Sequence, residues 1–193
     1  MDKRAMEGAQ GSGRIPLQGE RLSLRPLEVR DLEAVAPYFA NTAELYYYLP
    51  DLLLPRTAAQ LQSLMDDWND GKRNFVFACR AGEETMGLVS LSDLDAAAGS
   101  AEAGIVITEP AWRGQGLARE ALTLLLDYAF GDLRLHRIFA RVAVENHKSL
   151  ALFENLGFVR EGRMRQAMRR GDRYIDLIFL GLLEEEYRQG PTT

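Results

Sequence analysis

The spacing of apolar and polar residues predicts two helices and a hairpin in the first half of the chain. Apolar side chains recur at three- and four-residue intervals in residues 29–40 and again in residues 61–68, which is the period of an amphipathic helix. A short alternating segment, residues 22–25, precedes them and predicts an edge strand. Residues 74–79 and 86–91 are mostly apolar and flank a glycine-containing turn, so they predict the two strands of a hairpin.

The second half of the chain predicts a long helix among several strands. Residues 116–130 are apolar nearly all round, except for one exposed polar stripe that includes Glu120, so we expect this helix to be packed on most sides. The other predicted elements are a strand at 102–107, a strand at 137–144, a short helix at 147–156 and two last strands near 158–168 and 173–182. Because strands and helices do not alternate regularly, the order predicts an α/β fold of the α+β kind, with a mixed sheet of about six to seven strands and about four helices.

Composition and charge exclude several classes of protein. The 193 residues fit one domain, and 47% of them are hydrophobic, which is enough for a substantial core. Residues 1–13 are small, charged and glycine-rich and predict a flexible tail, so we expect residues 14–193 to form the single domain. The net charge of −5 disfavours nucleic acid as a partner, and no apolar run is long enough to span a bilayer.

Cysteine and histidine are too scarce for disulfide or zinc chemistry. A single cysteine, Cys79, rules out an intramolecular disulfide, and together with two histidines it does not make a zinc constellation. The first residues also lack the apolar core of a signal peptide. We therefore expect a cytoplasmic protein without a metal and without a membrane partner.

A glycine-containing turn before the long helix carries the strongest chemical signal. Residues 113–118 read Arg-Gly-Gln-Gly-Leu-Ala and lie between a predicted strand and a predicted helix. Glycines let the backbone approach an anion closely, and the first N–H groups of a helix are unpaired and lie at the positive end of its dipole. The turn is therefore suited to bind phosphate, unless it is only a plain connection from strand to helix.

Two common phosphate motifs do not fit this turn. A P-loop needs Gly-Lys-Ser/Thr, which does not occur in the chain. A dinucleotide fingerprint needs a third glycine where Arg119 stands, and an acidic residue about 20 positions further on, near Arg134 or His136. A nucleotide-binding oxidoreductase is accordingly a distant alternative.

A series of short motifs runs through the whole chain. It comprises Arg21-Leu22-Ser23-Leu24-Arg25-Pro26, Asp31-Leu32, the turn at 113–118, residues 144–149, Leu156-Gly157-Phe158, Glu161-Gly162, Tyr174-x-Asp176 and Glu186. Over residues 17–187 the series resembles the GNAT acetyltransferase superfamily, and residues 110–121 resemble its RimJ/RimL branch, the ribosomal-protein N-terminal acetyltransferases. The resemblance implies a GNAT-like fold with a mixed, mostly antiparallel twisted sheet. It also implies acetyl-CoA as donor and an amine as acceptor.

The resemblance assigns cofactor roles to the turn and to the strands around it. Backbone groups of the turn would hold the pyrophosphate, and those of the preceding strand would pair with the pantetheine arm and stabilise the oxyanion. Asn146 would bind the same arm, unless it only caps the following helix. The implied cofactor-binding residues are Ile105, Val106, Ile107, Arg113, Gly114, Gln115, Gly116, Leu117, Ala118 and Asn146.

The resemblance also implies two catalytic residues. Ser149 would protonate the departing thiolate, since Phe153 stands where many members of the superfamily have a tyrosine, unless Ser149 only satisfies the first turn of its helix. Glu102 matches a Glu-x-Gly strand motif of the branch and would act as general base, directly or through water, unless it is a solvated residue at a strand start. Asp176 is the runner-up for the base. Attack is expected to be direct, because Cys79 lies on an early strand.

The acceptor side is implied to include Tyr46, Tyr47, Tyr48 and Asp176. An N-terminal α-amine has a pKa of about 7.7–8.0 and is partly neutral at pH 7, unlike lysine, so it suits a weak or water-mediated base. Together with the branch, this favours a protein or peptide N-terminal α-amine as acceptor. The alternatives are a small amine, such as a polyamine, aminoglycoside or amino-acid-like toxin, and a non-catalytic acyl-CoA sensor.

Two charged groups and the assembly are left open by the sequence. The acidic group could attract a cationic amine, but such groups are usually a solvated face. The arginines within residues 163–173 could contact coenzyme phosphate or an acidic partner, unless they form only an exposed hairpin. A homodimer is expected by analogy with the branch. The acidic group consists of Asp51, Asp66, Asp67 and Asp70.

Overall fold

The computed structural model describes residues 17–48 and 55–190, which contain one eight-stranded sheet. The strands are β1 (Leu17–Gln18), β2 (Ser23–Pro26), β3 (Phe75–Ala81), β4 (Glu84–Asp95), β5 (Ser100–Ile107), β6 (Arg137–Ala143), β7 (Val159–Arg170) and β8 (Arg173–Leu183). Their order across the sheet is β1-β2-β3-β4-β5-β6-β8-β7. All neighbours are antiparallel except β5 and β6, which run parallel.

Five α-helices and two 3-10 turns connect the strands. The helices are α1 (Val29–Ala40), α2 (Ala58–Trp68), α3 (Leu117–Gly131), α4 (His147–Glu154) and α5 (Glu184–Gln189), and the 3-10 turns are Glu44–Tyr47 and Pro110–Trp112. The predicted α+β fold with its mixed, mostly antiparallel sheet is confirmed. The predicted tail at residues 1–13 lies outside the described residues, so the division into tail and domain stays a prediction.

The sequence pattern missed the shortest strand and the shortest α-helix. Strand β1 has only two residues, too few to show an alternation, and its pairing with β2 makes the edge-strand prediction for residues 22–25 wrong. Helix α5 begins with three glutamates and has no apolar period, and it is held instead by the Glu186 carboxylate, which accepts the N–H of Leu183 at 2.8 Å.

The helices cover opposite faces of the sheet. Cys79 and Ala78 are neighbours on β3, so their side chains point to opposite faces. Cys79 packs in the core that includes α3 and α4, whereas Ala78 packs in the core formed with α1 and α2. Helix α3 buries seven of its residues, which agrees with the prediction that it is packed on most sides.

The parallel pair β5 and β6 stays together only at its beginning. The two strands are paired at Ser100–Arg137, Ala101–Ile138 and Glu102–Phe139, and beyond these positions each is paired only with its other neighbour. The sheet therefore divides into two halves at the carboxyl ends of β5 and β6. Ligands in sheets with parallel strands commonly bind at such an end, where the chain leaves neighbouring strands in different directions.

Candidate active site

One wall of the cleft between β5 and β6 is the glycine turn that follows β5. Gly114 and Gly116 have φ angles of +75° and +79°, in the left-handed region that glycine adopts without a steric penalty. Gly116 caps α3, and the N–H groups of residues 114–119 have no acceptor among the described residues. These N–H groups lie at the positive end of the α3 dipole. The turn therefore fits a diphosphate, with no side chain at Gly114 to obstruct its approach.

The side chain of Arg113 binds the residues that precede the turn. Its Nε donates to the carbonyl of Ile107 at 3.0 Å, and its Nη2 donates to the carboxylate of Glu44 at 2.7 Å and to the carbonyl of Thr108 at 3.2 Å. The guanidinium thus connects the end of β5 to the 3-10 turn at Glu44–Tyr47.

The turn is also held by two residues to which the sequence analysis assigned no role there. Arg21 donates from Nη1 to the carbonyl of Gln115 at 2.7 Å and is paired with Glu120. The side chain of Glu120 is only 16% exposed, so its expected place on an exposed stripe is wrong. Both contacts join residues more than ninety positions apart, and no local pattern in the sequence indicates them.

The backbone of β5 lines the same wall. Ile105, Val106 and Ile107 follow the last residue that pairs with β6, and each side chain is half-buried. The three residues are paired with β4 on their other side. Their predicted role, backbone pairing with an extended ligand arm, is compatible with this position and stays a prediction.

The opposite wall is the start of α4, which follows β6. The Asn146 side-chain oxygen accepts the N–H of Ser149 at 3.2 Å, so Asn146 does cap the helix. Its side-chain NH₂ has no acceptor among the described residues and remains able to donate to a ligand. The Ser149 hydroxyl is half-buried and likewise has no partner in the described part of the chain. One turn further on, Phe153 is buried against Phe158, with ring centroids 5.0 Å apart.

Glu102 lies at the closed end of the cleft. Both of its carboxylate oxygens accept hydrogen bonds from Arg141 on β6, at 2.9 and 2.5 Å, and its side chain is 13% exposed. The alternative that Glu102 is a solvated residue is therefore wrong. Its carboxylate is held by a guanidinium, an arrangement that ties β5 to β6 just before the two strands diverge.

Asp176 fixes an irregularity in the β7–β8 hairpin. Its carboxylate accepts the N–H of Gln166 at 2.7 Å, where φ is +53°, and the Nε of Arg163 at 2.5 Å. These two donors, the N–H of Gln166 first, hold the pKa of Asp176 below its ordinary value. An open cavity of about 570 Å³ is lined by Arg165, Gln166 and Asp176. Val144, which directly follows β6, donates its N–H to the Asp176 carbonyl.

The three tyrosines have different surroundings. Tyr46 packs on the cluster formed by the ends of β6 and β7 and the start of β8, whereas Tyr48 packs on Phe39 in the core beneath α1 and α2. Tyr47 is the exposed one of the three. Arg170, only 3% exposed, donates to the carbonyls of Tyr46 and Tyr48 at 2.5 and 2.7 Å and so docks this segment on β7.

Several of the charged residues left open by the sequence have local partners. Asp70 accepts three backbone N–H groups of the loop that follows it, which holds its pKa below the ordinary value. Asp51 lies outside the described residues. Arg163 binds Asp176, and Arg170 binds the segment that contains the three tyrosines. Arg173 pairs with Glu145 at 2.7 Å. The β7–β8 hairpin is therefore more than an exposed arm.

Comparison with known proteins identifies the family of this chain. A family model described as "Acetyltransferase (GNAT) domain" matches residues 21–159. This chain belongs to the GNAT acetyltransferase family. It is an acyltransferase, and enzymes of this family use acetyl-CoA.

Three relatives of this GNAT chain are informative. The "Uncharacterized N-acetyltransferase p20" of Bacillus licheniformis is 32% identical over 174 residues, which cover 89% of this chain and 97% of the relative. A crystal structure of spermidine N-acetyltransferase from Vibrio cholerae in complex with CoA and spermine is 31% identical, with a TM-score of 0.80 over 88% of this chain and 99% of that one. A dodecameric structure of spermidine N-acetyltransferase from Vibrio cholerae, 30% identical, has a TM-score of 0.73 over 88% of this chain and 97% of that one.

Two other properties of the described residues bear on the site. No group of three or more His, Cys, Asp or Glu side chains within residues 17–48 and 55–190 is arranged to hold a metal ion. None of the helices in those same ranges is long and apolar enough to cross a membrane.

Proposed function

We propose that this GNAT enzyme acetylates a small polyamine-type amine. The observation that carries the proposal is the similarity to the spermidine N-acetyltransferase in complex with CoA and spermine, which extends over 88% of this chain. The net charge of −5 also favours the approach of a polycation. These relatives support the small-amine alternative better than the peptide α-amine and the RimJ/RimL branch, which stay as the competing hypothesis.

The donor would lie along the cleft between β5 and β6. The N–H groups of residues 114–119 would bind the diphosphate, and the backbone of β5 beyond Glu102 would pair with the pantetheine arm. The Asn146 NH₂ would donate to the same arm from the opposite wall. Acetyl-CoA, when bound, supplies an acetyl thioester for transfer.

Ser149 would donate the proton that the leaving sulfur needs. Its backbone N–H is already fixed by Asn146, so the side chain starts from an ordered helix turn and its hydroxyl is available. An acetyl-enzyme on cysteine is disfavoured, because Cys79 is fully buried and burial raises its pKa to about 12. The amine would therefore attack directly.

We propose that neither Glu102 nor Asp176 removes the amine proton directly. Glu102 is occupied by Arg141, and Asp176 has a lowered pKa and two hydrogen-bond donors of its own, which make it a weak base. A primary alkylamine with a pKa of about 10.4 is almost fully protonated at pH 7. We therefore expect kcat/KM for a polyamine to rise about tenfold per pH unit between about pH 7 and 9. A plateau beginning below about pH 8 would instead indicate an enzymatic base.

Thiol release from acetyl-CoA tests the acceptor class. Spermidine and spermine should give a kcat/KM at least about tenfold above that of peptides beginning with Ala or Ser. Turnover on the peptides alone would support the RimJ/RimL hypothesis. Binding of CoA without turnover on either set would support the acyl-CoA sensor and contradict the proposed enzyme activity.

The assembly of this enzyme is proposed from its relatives, and its location from the sequence. Because the Vibrio cholerae relative has a dodecameric structure, we propose that this chain also self-associates, and light scattering after gel filtration tests this. A mass of 21.7 kDa would show a monomer and contradict the proposal. We retain the cytoplasmic location as a prediction from the sequence.

A further inference from the structure

The turn between β1 and β2 packs against the first turn of α3. The Gly19 N–H donates to the Leu22 carbonyl at 2.8 Å, which closes the turn. The Glu120 carboxylate accepts the N–H groups of Arg21 and Leu22 at 2.8 and 3.3 Å. A Cβ on Gly19 would lie 2.5 Å from the Glu120 Oε1, so only glycine permits this approach. The turn is therefore shaped around the carboxylate of Glu120.

Arg21 extends from the β1–β2 turn to the glycine turn at residues 113–118, which we call the diphosphate turn because it is proposed to bind the diphosphate. Its Nε pairs with Glu120 at 2.9 Å, and its Nη1 donates to the Gln115 carbonyl at 2.7 Å. Its Nη2 lies 3.5 Å from the point where a Cβ on Gly116 would stand, and the side chain is 51% exposed. The guanidinium thus binds the Glu120 carboxylate with Nε and the Gln115 carbonyl with Nη1, and its Nη2 lies beside the α3 N-terminus.

The charge of Glu120 matters for an anion at this place. Burial raises the pKa of Glu120, but the hydrogen bonds from Arg21 and Leu22 outweigh burial and hold that pKa below its ordinary value, so the residue stays ionised. A carboxylate in the first turn of a helix interacts favourably with the helix dipole, but it repels a diphosphate bound at the same end. The guanidinium of Arg21 compensates this charge.

We propose that Arg21 is a positioning residue of the diphosphate site, which holds the Gly114–Gly116 turn through the Gln115 carbonyl, offsets the charge of Glu120 and presents Nη2 to the diphosphate. The proposal rests on the use of acetyl-CoA by this chain. The affinity of the wild-type protein for CoA tests that use of the cofactor. The change in affinity on substitution of Arg21 tests the role of Arg21.

The test measures the Kd of CoA by titration calorimetry for R21Q, E120Q, the double variant R21Q/E120Q and the control R25Q. Arg25 lies on β2, shortly after Arg21 in the chain, points to the opposite sheet face from Leu24 and is exposed, so R25Q removes the same charge away from the turn. R21Q should raise Kd about tenfold or more, the usual scale for one charge-assisted hydrogen bond. R25Q should leave Kd within about twofold.

The double variant separates a binding role from a structural one. E120Q removes the carboxylate that holds the β1–β2 turn, so it should lower the melting temperature further in the R21Q background. The same change should restore part of the CoA affinity, because it removes the uncompensated charge. Opposite effects on stability and affinity are not expected if Arg21 only stabilises the fold.

Dephospho-CoA locates the contact, because it retains the diphosphate and lacks the 3′-phosphate. The loss caused by R21Q should be the same for CoA and dephospho-CoA. A loss that disappears with dephospho-CoA, a Kd of R21Q within twofold of wild type, or no recovery in the double variant would each overturn the proposal. Should R21Q not fold, R21K keeps the charge with fewer donors and should lie between wild type and a tenfold loss, and unchanged affinity in R21K would then count against the proposal.

Discussion

Replacement of Gly116 by alanine tests the diphosphate turn most sharply among single substitutions. Gly116 has a φ of +79°, and a Cβ there would meet only the Arg21 Nη2, at an ordinary contact distance of 3.5 Å. The substitution therefore introduces no clash within the described protein. Its two costs are the left-handed backbone of a non-glycine residue and a methyl group on the surface that faces the diphosphate.

The two costs have different magnitudes and different readouts. A non-glycine residue in the left-handed region costs about 1 kcal/mol of folding stability. A methyl group that keeps phosphate oxygens away from the N–H groups should weaken CoA about tenfold. At a CoA concentration of about 100 times the wild-type Kd, the ligand stabilises wild type by about 2.7 kcal/mol, and a tenfold weaker Kd reduces this to about 1.4 kcal/mol.

Urea unfolding with and without CoA measures both quantities, and Gly71→Ala is the matched control. Gly71 has a φ of +66° and no atom within 4 Å of a Cβ, and it lies in the loop before β3, away from the cleft. Without CoA, the free energy of unfolding of both variants should fall by about 1 kcal/mol. Only in Gly116→Ala should the stabilisation by CoA also be reduced. Full ligand stabilisation of Gly116→Ala would refute the diphosphate role of this turn.

Three more substitutions test other parts of the account. Ser149→Ala should lower kcat about 10- to 100-fold while the KM for acetyl-CoA changes less than about threefold, and an unchanged kcat in steady-state assays would remove Ser149 as the proton donor. Arg170→Lys loses part of the hydrogen bonding to the carbonyls of Tyr46 and Tyr48. The KM for the amine should therefore rise several-fold while the KM for acetyl-CoA stays similar. Equal changes in the two KM values would contradict a role on the acceptor side. Asp176 has a lowered pKa in the folded state, because its carboxylate accepts the Gln166 N–H and pairs with Arg163. These interactions stabilise the fold above the unfolded-state pKa of about 3.9, and the stabilisation is lost as pH falls below it. The melting temperature of wild type should therefore exceed that of Asp176→Asn at pH 6 and converge with it towards pH 3, and a constant difference would show that the charge of Asp176 is not responsible.

Local sequence patterns predicted the elements whose burial is periodic. The apolar residues of 29–40 recur at helical spacing along the whole of α1, and the observed helix has the same bounds. The diphosphate turn and the start of α4 were also recognisable, because glycines with positive φ and an asparagine cap are local signals. These parts of the site need only a few consecutive residues to be predicted.

The residues that the sequence did not reveal act over long separations. Arg170 binds the carbonyl of Tyr46, 124 positions away, and Arg21 binds Glu120, 99 positions away. The strand motif predicted that Glu102 is a general base, but the residue that binds its carboxylate, Arg141, lies on the neighbouring strand. Such partners depend on the order of strands in the sheet, which periodicity does not determine.

A competition between two acceptors tests the central claim most directly. The enzyme receives acetyl-CoA with equal concentrations of spermidine and a peptide with a free Ser N-terminus, and mass spectrometry follows both acetylated products. Acetylated spermidine should accumulate at least about tenfold faster than acetylated peptide. Faster acetylation of the peptide, or no acetylation of spermidine, would contradict the proposed polyamine acetyltransferase.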